Sequence, residues 1–282
     1  MTRALTRWIT YGAASALALT FIAAPTARAQ SDASNVDLCN GRNDASPDQQ
    51  IQGCTELLKS ADNNKVLAII YNNRGNAYVA KAEYDLAIKD YEQAIQDDPQ
   101  FPKPLNNRGV AYQKKGQYDL AIHDFDAAIK LDPDYANAFA NRGETYSKKG
   151  DFSSAAKDFD AAIRLQPKLS VLWNERCWAR AIVGDLPAAL NDCNAAIQSM
   201  PGDASPLDSR GLIYLKSSQW DSAIADYTAA LKIDSKLATS LYGRGMAELK
   251  KGNVPSGNAD IATAKSLDPK IAEEFSGYGL KE

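Results

Sequence analysis

The sequence predicts an all-α solenoid of stacked helix–turn–helix units. Three observations carry that expectation. Arginine recurs at 74, 108, 142, 176, 210 and 244, always 34 residues apart. Small residues recur in the same register: Gly75, Gly109, Gly143, Cys177, Gly211 and Gly245 follow those arginines, and Ala94, Ala128, Ala162, Ala196, Ala230 and Ala264 lie later in each unit. Inside a unit the apolar residues are spaced by three and four, the period of one helix face, as in Ala121, Phe125 and Ala128.

Taken in order, the chain opens with an export pattern. Arg3 and Arg7 precede an uncharged, mostly apolar run from Tyr11 to Ala24, and Ala27-Arg28-Ala29 places small residues where a signal peptidase reads. Cleavage after Ala29 is expected. The alternative, an uncleaved anchor, needs a span of about 20 apolar residues, longer than this run. The first cysteine, Cys39, follows Val36-Asp37-Leu38 rather than the apolar run, which argues against a lipid anchor. Without its three arginines the mature chain has 29 basic and 35 acidic residues, net -6. The expected location is periplasmic or secreted, where disulfides persist. No later apolar stretch is long enough to cross a membrane.

Residues 30–67 read as a linker and degenerate capping helices. Ser46-Pro47-Asp48 is a helix start, and Ile51, Cys54, Leu57 and Leu58 share a face. Six units are drawn at 68–101, 102–135, 136–169, 170–203, 204–237 and 238–269. In the second unit Lys115-Gly116-Gln117 breaks the helix midway and Asp132-Pro133 ends the second helix, and Pro99, Pro133, Pro167, Pro201 and Pro269 close five of the six units. Residues 270–282 are a capping turn and tail, with Lys270 to Phe275 expected to add a polar turn over the last apolar face. Solenoids need such caps.

These residues resemble the tetratricopeptide repeat: a small residue, a tyrosine three later (Tyr78, Tyr112, Tyr146, Tyr214), two spaced alanines and a closing proline per 34-residue unit. The departures are Cys177 for glycine, Arg180 and Glu248 for tyrosine, Gly257 for the first alanine and Ser235 for proline. The resemblance implies a right-handed superhelix close to one turn long, with the first helices lining an inner groove.

In an antiparallel helix pair turning midway, residues whose unit positions sum to about 31 face each other. An Asp stands sixteen residues after every repeat arginine, at 90, 124, 158, 192, 226 and 260. Each Arg should therefore meet its own Asp across the hairpin. Either the pair is structural, since a buried guanidinium is rarely left unpaired, or it is a charged ligand track. The same geometry pairs Cys177 with Cys193, and Cys39 with Cys54, as disulfides across their hairpins; buried free thiols are the alternative.

Composition and motifs argue against most chemistry. With 45% hydrophobic and 24% charged residues, the chain is of ordinary globular type. The net charge of -3 offers no basic excess for nucleic acid. The one histidine, His123, falls where other units carry Lys89, Lys157, Asn191, Ala225 and Ala259, a solvent-facing position. Phosphate loop, nucleophile elbow and metal spacing are all lacking. No catalytic residue, metal or cofactor is expected.

Function is instead expected on the groove. At the contact positions the resemblance implies, the N-terminal half offers Asn72, Asn73, Asn76, Asn106, Asn107, Lys114, Asn137, Asn141 and Lys148. Amides donate and accept at once, so they can hold an extended peptide backbone; or they merely solvate the groove and cap helices. The C-terminal half is more apolar, with Trp178, Ile182, Leu212, Leu215, Tyr242 and Met246 beside Asn174, Glu175 and Asp208. The carboxylate clamp of some family members is not reproduced: Asn76 and Asn107 match it, but its basic places hold Asn72, Asn137 and Asn141. The expected partner is an unidentified protein or peptide bound by an adaptor or assembly factor of the cell envelope. The alternative is a glycan or small ligand, hinted at by Trp178 beside Glu175 and Asp208.

Overall fold

The computed structural model describes residues 34–281, so the predicted signal and its cleavage point lie outside the described residues. Fifteen helices follow in tandem, with no strand among the described residues. A cap of α1 (34–39) and α2 (Pro47–Leu58) leads into six hairpins. These are α3 (Asn64–Ala80) with α4 (Tyr84–Asp97), α5 (Pro102–Lys114) with α6 (Tyr118–Leu131), and α7 (Ala136–Lys149) with α8 (Phe152–Leu165). Then come α9 (Ser170–Val183) with α10 (Leu186–Ser199), α11 (Ser205–Lys216) with α12 (Trp220–Ile233), and α13 (Ala238–Lys250) with α14 (Val254–Leu267). A short α15 (Ile271–Gly277) ends the fold. The first hairpin starts earlier than Ala68, because the Asn63 side chain caps the N–H groups of Lys65 and Val66.

Local chemistry sets each boundary. Ser46 and Gln49 form a reciprocal capping box at α2. Each hairpin turns through one residue in the left-handed region: Ala82, Gly116, Gly150, Gly184, Ser218 and Gly252. Asp132, extended before Pro133, ends α6, and its carboxylate accepts from the Asp134 N–H at 3.1 Å.

Packing explains the small residues. A Cβ on Gly143 would come within 2.9 Å of the Phe159 ring, so glycine is what lets α7 and α8 close. The fourth unit solves the same contact differently. Cys177 replaces the glycine, Cys193 replaces the aromatic ring, and the two are joined as a disulfide with Cα atoms 5.4 Å apart. Cys39 and Cys54 are likewise joined, tying α1 to α2.

Consecutive helices pack in order, but the first helices α3, α5, α7, α9, α11 and α13 also touch one another directly. The second helices do not touch one another in this way. The inner row is therefore the tighter one, and the right-handed stack curves around it. Its concave face is made of first helices.

Candidate functional site

The amides of the concave face are joined into inter-unit staples. Asn107 Nδ2 donates to Asn72 Oδ1 at 2.9 Å and to Asn76 Oδ1 at 3.0 Å. Asn141 Nδ2 donates to Asn106 Oδ1 at 2.9 Å. Asn73 Nδ2 reaches the cap at Asn40 Oδ1, 3.0 Å away. In the later units Ser209 Oγ donates to Asn174 Oδ1 at 2.8 Å. Asn72 and Asn106 are buried, so these two expected groove residues hold neighbouring units together rather than face a ligand. Asn76, Lys114, Asn137 and Lys148 are exposed, and Lys148 pairs with Glu144 at 2.6 Å. Asn73, Asn107 and Asn141 lie between these extremes.

The C-terminal half of the face is closed. Leu212, Leu215, Tyr242 and Met246 are buried, and α15 supplies part of their cover. Where a polar turn was expected, Ile271 and Phe275 insert as fully buried apolar plugs. Trp178 is half-buried, its ring met edge-on by Tyr278 at 5.3 Å. Beside it a cleft of about 280 Å³ is lined by Asn174, Glu175, Asp208 and Thr239. Asp208 is buried and accepts from Thr239 Oγ1 at 2.9 Å and from Ser240 Oγ. Burial pushes its carboxyl up to about 6, against the pull of those two hydroxyls. Burial also raises Glu175, helped by the nearby Glu144 charge. Tyr227 Oη is buried with no hydrogen-bond partner among the described residues.

Every repeat arginine engages its own aspartate through two nitrogens, as with Arg108 Nε and Nη2 on Asp124 at 2.7 and 2.8 Å. The other five pairs repeat that geometry. Five of the six carboxylates are in buried residues and Asp260 is nearly so. The sequence reading missed a second contact. The remaining guanidinium nitrogen reaches the preceding unit: Arg176 to Asp160 and Arg210 to Asn194, both at 2.8 Å, and Arg142 to Asp126. The signal was present in the sequence, since those partners stand sixteen residues before each arginine. Arg180, in place of tyrosine, adds a second guanidinium to Asp192 at 2.7 Å.

Elsewhere the chemistry is sparse. The His123 side chain is 81% exposed. Among the described residues no cluster of three His, Cys, Asp or Glu is placed to hold a metal ion. No helix among them is long and apolar enough to cross a membrane.

A curved stack of helical hairpins, held by repeated staples and presenting one concave face, defines a repeat scaffold. Family profiles described as TPR repeat match residues 75–116 and 211–252, and profiles described as tetratricopeptide repeat match 102–135 and 136–169. The chain belongs to the tetratricopeptide repeat family. No curated protein matches it in sequence. Among solved structures it is similar to a tetratricopeptide repeat protein from Parabacteroides merdae, with TM-score 0.64 and 18% identity over 89% of this chain and 100% of that one. PilF of Pseudomonas aeruginosa gives 0.61 and 16% identity over 76% and 99%. YrrB, described as having an unusual peptide-binding site, gives 0.52 and 19% identity over 67% and 98%. At these identities the likeness is one of fold.

Proposed function

We propose that the chain is a non-catalytic scaffold, exported to the cell envelope or beyond, that binds protein or peptide segments along its concave face. The observation that carries this is the division of labour on that face. The amides of Asn72, Asn106, Asn107 and Asn141 are spent on inter-unit staples, with Asn76 Oδ1 taking part in one, which leaves a pre-organised wall on which Lys114, Asn137 and Lys148 remain exposed. Such a wall meets peptide carbonyls and carboxylates without demanding one sequence. YrrB, with the same fold, is described as peptide-binding, which supports the reading by analogy. The signal pattern and the two disulfides support export. The glycan alternative is disfavoured, because Asp208 is buried and its carboxylate is already held by Thr239 and Ser240.

The test is capture of envelope proteins by the mature chain and by a Lys114→Glu/Lys148→Glu variant. The variant should keep its thermal midpoint and lose partners. An unchanged set of partners would sink the groove reading. Mass spectrometry of the exported protein should find Gln30 as its first residue; an N-terminus retaining Arg3 would contradict cleavage.

A further inference from the structure

Closing the sixth unit requires Ile271 and Phe275, and the chain goes on to do more. Gly277 ends α15, Gly279 takes a φ of 81°, and Tyr278 between them reaches back across the concave face. Its ring lies 5.3 Å from Trp178 of the fourth unit and 6.4 Å from Phe152 of the third, both edge-on. Its carbonyl accepts from Lys216 Nζ at 3.0 Å. The backbone N–H bonds of residues 278–280 all return to α15, so the Tyr278 ring and the Lys216 bond to its carbonyl tether this stretch to the distant repeats.

Lys216 is the second observation. Its ammonium donates to two neutral acceptors among the described residues, the carbonyls of Ile182 and Tyr278. Partial burial lowers its pKa, so the site carries a desolvated cation on neutral acceptors. An aromatic slot thus adjoins a cation, and the present occupant fills the slot but offers the cation only a neutral carbonyl.

We propose that this seat binds the C-terminal aromatic residue of a partner, its ring between Trp178 and Phe152 and its carboxylate on Lys216, and that Tyr278 occupies the seat as a displaceable internal ligand. The proposal rests on the reading that the concave face binds peptide, and names the chemistry of one end of that face. A terminal carboxylate makes a stronger, charge-assisted bond than the Tyr278 carbonyl does. The partner therefore gains an interaction that the resident tail lacks. Glycines on both sides of Tyr278 let it swing out at the cost of its ring contact with Phe275, 5.7 Å away, while Ile271 and Phe275 stay buried in the core.

Fluorescence anisotropy with a labelled Gly-Ser-Gly-Tyr peptide tests this on the full mature chain. Binding to Tyr278→Ala should be at least about tenfold tighter than to the parent, because an occupied seat reduces apparent affinity by the competent fraction. The same peptide ending in an amide should bind about tenfold more weakly. Gly-Ser-Gly-Ala should not bind, and adding Trp178→Ala should abolish binding. The proposal is overturned if Tyr278→Ala binds no better than the parent, or if acid and amide forms bind equally. It is also overturned if Tyr278→Ala melts more than about 10 °C below the parent, since the tail is then a fixed part of the core. Envelope capture through Lys114 and Lys148 is read separately. If capture persists while the peptide fails, this inference alone falls; if the peptide binds while capture is unchanged by the charge reversals, the broader groove reading falls.

Discussion

Arg142 joins two units through one side chain. It holds Asp158 of its own hairpin with two nitrogens at 2.7 Å and Asp126 of the preceding unit with the third. Asp158 is 6% exposed, so losing the guanidinium leaves a nearly buried charge without its partner. Arg142→Ala should cost about 3–5 kcal/mol in denaturant unfolding. Apolar replacement of both Arg142 and Asp158 should recover much of that, because the penalty lies in the orphaned charge. A single variant as stable as the parent would show that the ladder does not hold the fold. Asp208 makes the opposite case, a buried carboxylate held by two hydroxyls and by no cation among the described residues. Burial raises it from 3.8 to about 6, so the folded state favours its protonated form. Below about pH 4 both folded and unfolded chains are protonated there and the group costs nothing. Above about pH 6 both are ionised and the folded chain carries the penalty, about 3 kcal/mol for two pKa units. Stability from this group therefore falls as pH rises between those values. Asp208→Asn should melt above the parent at pH 7.5, with the gap closing toward pH 4. A gap that is constant from pH 4 to 8 would mean that no charge is being buried.

At the scale of the hairpin, the repeat replaces parts in matched pairs. Gly75, Gly109, Gly143 and Gly211 each face an aromatic ring that would lie under 3.0 Å from an added Cβ. The fourth hairpin exchanges both members at once, for Cys177 and Cys193. Removing the crosslink by Cys177→Ala/Cys193→Ala should cost about 3 kcal/mol, the closure entropy of a loop this size, and more for the void. Cys177→Gly/Cys193→Phe restores the glycine–ring contact of the other units and should recover at least about 1 kcal/mol of that loss. Equal stability of the two double variants, read from urea midpoints, would mean that the ring does not fill the space the sulfurs vacate. The hairpin is also the scale at which the sequence was most legible. A 34-residue period makes every unit a copy of the same contacts, so facing positions could be located by simple symmetry, and Arg142 met Asp158 as Cys177 met Cys193. The staples between units were less legible. Asn72 and Asn107 belong to different hairpins, and the offset between neighbouring first helices depends on how tightly they stack, which the period leaves open.

Across the whole molecule, curvature decides what meets. Tyr278 reaches Phe152 and Trp178 because the inner row of helices bends the sixth unit toward the third, and no local pattern in the tail encodes that landing. Lys270 to Phe275 read as a polar turn, although the apolar spacing of Ile271 and Phe275, four apart, was there to be seen. The same one-dimensional order governs how the protein comes apart. Each hairpin rests on its neighbours, and the terminal ones have only one. The C-terminal end is closed by Phe275, 1% exposed, whose ring centre lies 4.7 Å from that of Tyr242 and 5.7 Å from that of Tyr278. Phe275→Ala removes that ring and should cost about 3–5 kcal/mol at the site. In a stack with nearest-neighbour coupling, that loss should stay local. Hydrogen exchange should show α13 and α14 losing protection first and α11 and α12 less, while α3 to α6 near the Cys39–Cys54 cap hold their protection. The tail helix should exchange freely. If protection instead fell by the same amount from α3 to α14, the stack would unfold as a single unit, and the solenoid description of its energetics would be wrong.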